Sequence, residues 1–324
     1  MTKPLYVERD GQQLIVRPPF LQSDTFLTGW LIKADTAALQ RMLDVAFNIP
    51  SGHAVDYRPL FSSVLFTFAD IPEVSSLDPR DAHYGYAPEG DVCIWVVVGS
   101  YVDGLLDRIF FYLPYIIVTD PVAVTIGREV FGFPKMLGWA ELPKKATDTG
   151  PFWGDTYVIP TFSPTSPIER KRFVEVSRGG AMAAALAHED DPGSGGYREL
   201  VKAISARMRE HHADPAIADD IGLCAEILKD ILEKRLPCIF LKQFRDAETS
   251  DRACYQSFVH ADATIKTISG IGLLPPDWTF KFWQYDSFKI IDTLGIAPTQ
   301  VVDLGFWLSF TFSMDLGKEV WRAP

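Results

Sequence analysis

One lysine set among apolar side chains is the feature of this chain most suited to covalent chemistry. Residues 127–138 read GREVFGFPKMLG, which surrounds Lys135 with Phe131, Phe133, Met136 and Leu137 directly after Pro134. An ammonium withdrawn from water loses hydration that the neutral amine hardly needs, so burial lowers its pKa and releases free amine near neutral pH. Free amine attacks carbonyl carbon. The pattern therefore predicts an amine nucleophile activated by a dry pocket. It also fits a lysine whose stem covers apolar surface while its head stays wet, so the rest of the chain must choose between the two.

The totals narrow the function classes. With 324 residues, 47% of them hydrophobic and 23% charged, the chain can bury a sizeable core. A formal charge of −11 opposes binding to nucleic acid or anionic membranes, which depend on clustered Lys and Arg. The cysteines, Cys93, Cys224, Cys238 and Cys254, form no CxxC pair, and the histidines show no metal-ligand spacing. No P-loop and no GxGxxG cradle for phosphates is present. The N-terminal residues lack a signal-peptide core, and the apolar runs are too short for a spanning helix. The expectation is a cytoplasmic protein with reduced thiols, no metal or organic cofactor, and no membrane or nucleic-acid partner.

The elements that must position the lysine are mainly strands. Aromatic and β-branched runs predict strands at 14–16, 25–32, 64–69, 92–98, 108–119 and 122–126, with residues 72–90 as a Pro- and Gly-punctuated loop. Asp35 reads as the N-cap of a helix that stops before Pro50. Strand patterns resume at 139–142, 157–162 and 172–176, and again at 239–244, 253–267, 278–285 and 304–312, with 318–321 as the end of the fold. Short strands without intervening helices argue for antiparallel pairing, because parallel pairing needs long crossovers. Between the two blocks, 197–211 and 216–234 repeat apolar residues at helical spacing. Residues 179–236 thus read as a helical insertion in a single domain of mainly antiparallel β, class α+β.

The run GREVFGFPKMLG resembles the active-site motif of the acetoacetate decarboxylase family, in which a Pro-Lys pair places its lysine six residues after the Glu of Gly-Arg-Glu. Leu241-Lys242 with the following turn and 255–267 is similar to the family's later hairpin, and 35–43 to its early helix. The resemblance covers most of the chain outside the insertion. It implies a β barrel or cone with peripheral helices, a lyase that forms a Schiff base through Lys135, no cofactor, and a homo-oligomer. It also implies that Glu89, in Tyr86-Ala-Pro-Glu89-Gly90, is a catalytic carboxylate facing the lysine. Tyr86, Phe131, Phe133, Met136 and Leu137 would line the substrate pocket, and Arg128 and Glu129 would form a supporting ion pair. Met136 stands where the family's decarboxylases carry a second lysine. An ungapped match puts Thr25 and Thr67 where the family has an arginine and a further acid.

Two readings follow. An imine on Lys135 with a keto acid or related carbonyl compound leads to decarboxylation or to aldol condensation with dehydration. The alternative is a non-catalytic barrel that binds an apolar carbonyl ligand or a partner subunit.

Overall fold

The computed structural model describes residues 3–7, 15–179, 235–302 and 304–324. Nearly all of the expected helical insertion, including both helices at 197–211 and 216–234, lies outside the described residues.

Strand β4 (Tyr86–Val102) shows how the fold is generated. Side chains alternate between the two faces of a strand, and β4 carries apolar residues on both. Val92, Ile94, Val96 and Val98 enter one buried cluster together with Trp30, Phe66 and Phe280. Cys93 and Val97 enter a second with Phe131, Phe133 and Phe240. A strand buried on both faces needs neighbours on both edges, and β4 has them in β3 (Ser63–Ser76) and β5 (Leu105–Val118).

The β4–β5 pairing closes the sheet on itself. The path runs β5, β9 (Arg235–Arg245), β10 (Ala253–Leu274), β13 (Gly305–Met314), β1 (Phe20–Lys33), β3, β4 and back to β5. A side arm leaves β5 through β6 (Lys135–Glu141), β7 (Phe152–Val158), β8 (Glu169–Arg178), β11 (Trp278–Phe282) and β12 (Thr299–Val302). The short strands β2 (Tyr57–Pro59) and β14 (Lys318–Arg322) pair with β4 and β10. The class is α+β and mainly antiparallel, as the strand-rich pattern implies. Among the described residues two pairings are parallel, β5 with β6 and β5 with β9.

Helix α1 (Thr36–Leu43) begins where Asp35 Oδ1 accepts from the Ala38 amide at 2.7 Å, and a π-helical turn carries it to Asn48, short of Pro50. Several local expectations are corrected. Ile15 and Val16 form no strand. Most of 72–90 is not loop: β3 runs on to Ser76 and β4 starts at Tyr86, because Pro72 and Pro88 sit in extended backbone. Residues 122–126 belong to helix α2 (Pro121–Ile126), started by Asp120, whose carboxylate accepts from the amides of Val122 and Ala123. Proline at the first helical position loses no hydrogen bond. A further helix, α3 (Ile290–Leu294), has no strong sequence signal. Among the described residues no helix is long and apolar enough to cross a membrane.

Candidate active site

The lysine motif is a helix end that hands over to a strand. Helix α2 continues into a π-helical turn, Gly127–Phe131, and stops at Gly132, whose φ is 93°. Left-handed backbone favours glycine, and here a Cβ would also lie 2.6 Å from Lys242 Cα. The chain then returns as β6 beside β5, with Lys135 opposite Ile116. Gly127 matters for a different reason: a Cβ there would lie 2.6 Å from Lys135 Cδ, so its absence makes room for the lysine stem. Lys242 Nζ donates to the Val130 carbonyl at 3.2 Å and braces the turn from β9.

Arg128 and Glu129 do not form the expected pair with each other. Adjacent residues on a helical turn point about 100° apart. Arg128 Nη1 donates to the Lys135 carbonyl at 3.3 Å, while Glu129 accepts from the Tyr6 hydroxyl at 2.6 Å. Both still support the motif, through separate partners.

Lys135 and Glu89 meet as the resemblance implies. The two residues are 9% and 6% exposed, and Lys135 Nζ donates to Glu89 Oε1 in a buried ion pair. The Phe133 ring lies 5.5 Å from Nζ. A third group is present that the sequence reading omitted. Asp91, two residues beyond Glu89 on β4, puts its carboxyl against that of Glu89, and its Oδ1 is buried without a hydrogen-bond partner. Burial, then the charge of Glu89, pushes the Asp91 pKa well above the ordinary carboxylate range, against the opposing pull of Lys135. Asp91 therefore holds its proton to higher pH than an ordinary aspartate.

This arrangement reverses the expected electrostatics of the lysine. Burial does act to lower its pKa and is the largest single influence, but Glu89 and Asp91 together outweigh it, so the pKa is raised from its ordinary value. Resting Lys135 is an ammonium ion paired with a carboxylate. The dry pocket alone does not supply free amine; a proton must leave Nζ for an acceptor, and Glu89 is in contact with it.

A cavity of about 740 Å³ opens beside these groups, lined by Lys135, Glu89, Asp91, Cys93, Phe131 and Phe133 among others. Tyr86 lines it at the rim, 65% exposed. Met136 and Leu137 are not lining residues. Strand alternation turns Met136 to the opposite face, against the larger core cluster, and the Leu137 carbonyl is taken by Thr156 Oγ1 at 2.9 Å beyond the cavity. Thr25 and Thr67 both line it: Thr25 Oγ1 is buried and unpartnered, while Thr67 Oγ1 accepts from Trp95 Nε1 at 2.9 Å. Arg17 reaches the cavity from the segment before β1 and is paired with the buried Asp81. Alternation could have revealed Asp91: Glu89, Asp91 and Cys93 share one face of β4 once the strand is begun at Tyr86 rather than Val92.

The architecture is that of the acetoacetate decarboxylase-like fold. An acetoacetate decarboxylase from Legionella pneumophila superposes with a TM-score of 0.58 at 13% identity, over 99% of this chain and 93% of that one. The enduracididine biosynthesis enzyme MppR, in complex with the condensation product of pyruvate and imidazole 4-carboxaldehyde, superposes with a TM-score of 0.56 at 16% identity, over 98% of each chain. An acetoacetate decarboxylase-like enzyme from Sphingomonas wittichii gives 0.55 at 10% identity, over 95% of this chain and 96% of that one. No protein-family model matches the chain, and no curated protein matches it by sequence.

Proposed function

We propose that the chain is a Schiff-base-forming lyase that condenses Lys135 with the carbonyl carbon of a keto acid or related compound. The observation that carries this is the buried Lys135–Glu89 ion pair, with the Asp91 carboxyl beside it, on the wall of a large cavity. The fold relatives support the same reading, since they include decarboxylases and a protein captured with a pyruvate condensation product.

The group set can run imine formation without outside reagents. Nζ passes one proton to the Glu89 carboxylate and attacks the carbonyl carbon, forming a carbinolamine. Protonation of the carbinolamine hydroxyl by the carboxyl pair lets it leave as water, and the nitrogen lone pair completes a protonated imine. Ammonium and ketone have become iminium and water, with Glu89 again a carboxylate. The iminium withdraws electrons. A β-carboxylate then leaves as carbon dioxide, its bonding pair moving toward nitrogen as an enamine; alternatively Glu89 removes a proton from the α-carbon and the enamine attacks an aldehyde. General acid–base help of this kind is worth about 10²–10⁴ in rate.

The non-catalytic reading is favoured by the Lys135–Glu89 ion pair, which holds the lysine as an ammonium and suits ligand binding as well as a resting nucleophile. Reductive trapping decides between them. With cyanoborohydride and a panel of keto acids, ketones and aldehydes, the lyase reading requires a mass increment on the peptide carrying Lys135 and none in Lys135→Ala. Labelling equal in both proteins rejects it.

A further inference from the structure

The chamber beside Lys135 is far larger than a small keto acid. At ~30 Å³ per water-sized group, about 740 Å³ has room for roughly 25 such groups, whereas pyruvate or acetoacetate would fill only a fraction of it. The surplus space has a defined direction. Glu89 and Asp91 mark the β4 wall, and from there the lining crosses β3 and β1 to β13 through residues held in register: Val74 opposite Gln22, and Gln22 opposite Phe312. Phe20 opposite Met314 forms a parallel row. At ~4.8 Å per strand, the floor reaches about 14 Å along the sheet from the acids to β13.

Charge is absent from that floor. The polar lining residues of β1 and β3, Gln22, Thr25, Thr67, Ser75 and Ser76, are uncharged, and the chamber's arginine is already committed to Asp81. A small acid would leave most of the floor facing water, whereas an apolar substituent would displace that water. We propose that the carbonyl compound received by Lys135 carries a bulky apolar group, a hydrocarbon chain or ring system on the order of ten carbons, lying over Val74, Gln22 and Phe312. This rests on the imine reading of Lys135 and adds the substrate class.

The test is chain-length dependence, read two ways on the full chain. In the first arm, acetone and methyl ketones with pentyl, nonyl and tridecyl chains are trapped with cyanoborohydride, and the half-saturating concentration for Lys135 labelling is measured. Each buried methylene is worth about four-fold in affinity, so the constant should fall by at least about 100-fold between acetone and the nonyl ketone. In Val74→Trp and Gln22→Trp, which fill the floor away from the lysine, the gain should shrink by about ten-fold or more while acetone trapping persists, which also reports an intact fold. In the second arm, calorimetry measures binding of the same ketones to Lys135→Ala. Adducts that form with no dependence on chain length overturn the substrate class and leave the imine reading standing. Chain-length-dependent calorimetric binding with no adduct on the native chain sustains the apolar chamber and rejects the imine reading.

Discussion

Two buried acidic clusters in this molecule are built on opposite principles. On the side arm, Asp155 is held by two arginines. Arg170 Nε donates to Oδ2 at 3.0 Å and Arg172 Nε to Oδ1, and the guanidinium groups stack over Trp139 and Trp153 at 4.4 and 4.2 Å. Both carboxylate oxygens are satisfied and the cations are partly in water. In the closed ring the ratio is inverted: Glu89 and Asp91 share one cation, Lys135, and an oxygen of Asp91 has no partner. Satisfied pairs hold strands together. An unsatisfied surplus of buried acid is costly to the fold and is expected where proton transfer is needed.

Removing the proposed nucleophile breaks the contrast most completely. Lys135→Ala should abolish reductive labelling and lower turnover by at least about 10³-fold, and it leaves buried Glu89 and half-buried Asp91 with no cation between them. Glu89→Gln separates amine basicity from catalysis. It removes the foremost attraction holding the proton on Nζ, so labelling by an amine reagent should begin at lower pH than in the native chain, while turnover falls by about 10²-fold or more because the proton acceptor is gone. A parallel rise in both quantities would argue against Glu89 as the acceptor.

Asp91→Asn should act more gently and in two directions. Native Asp91 keeps its proton at pH values where the unfolded chain has released it, so raising the pH above the usual aspartate range destabilises the fold until the raised native pKa is passed. The amide cannot ionise. The variant should therefore gain a few degrees in Tm near neutral pH, with a flatter pH profile, while losing about ten-fold in kcat. The smallest effect on chemistry belongs to the other cluster. Asp155→Asn should cost about 1–2 kcal/mol of stability by denaturant melting and leave turnover within about two-fold.

The sequence carried the lysine, its glycine-arginine-glutamate lead and the run of strands, because these are local: hydrophobic alternation and a spaced motif survive without partners. Ring closure is not local. It depends on β4 meeting β5 over one edge and β3 over the other, and nothing in either segment alone specifies that. The same gap hid Asp91. With Pro88 and Gly90 taken as loop residues, an aspartate beside them reads as a solvated turn, although the strand pleat carries it inward next to Glu89. The direction of the Lys135 pKa is not legible in the motif for a related reason: apolar neighbours such as Phe131 and Phe133 are visible there, whereas the acids that outweigh them come from a distant strand. Val122 to Ile126 are biased to strand by their β-branched side chains, and the Asp120 cap with Pro121 overrides that bias for helix.

Closure of the ring also divides the site by timescale. Backbone from Asp91 to Ile94 is laddered on both sides, to β3 and to β5, so amide exchange there should require the rarest, most global opening of the molecule. Lys135 begins its strand with one neighbour, β5; β7 joins β6 only from Gly138. Amide deuteration followed by mass spectrometry should find the acids' segment among the slowest to exchange and the lysine's segment faster. On the proposed imine mechanism the acids are the anvil of the site, and the lysine is the part free to follow a substrate through its change from trigonal to tetrahedral carbon and back.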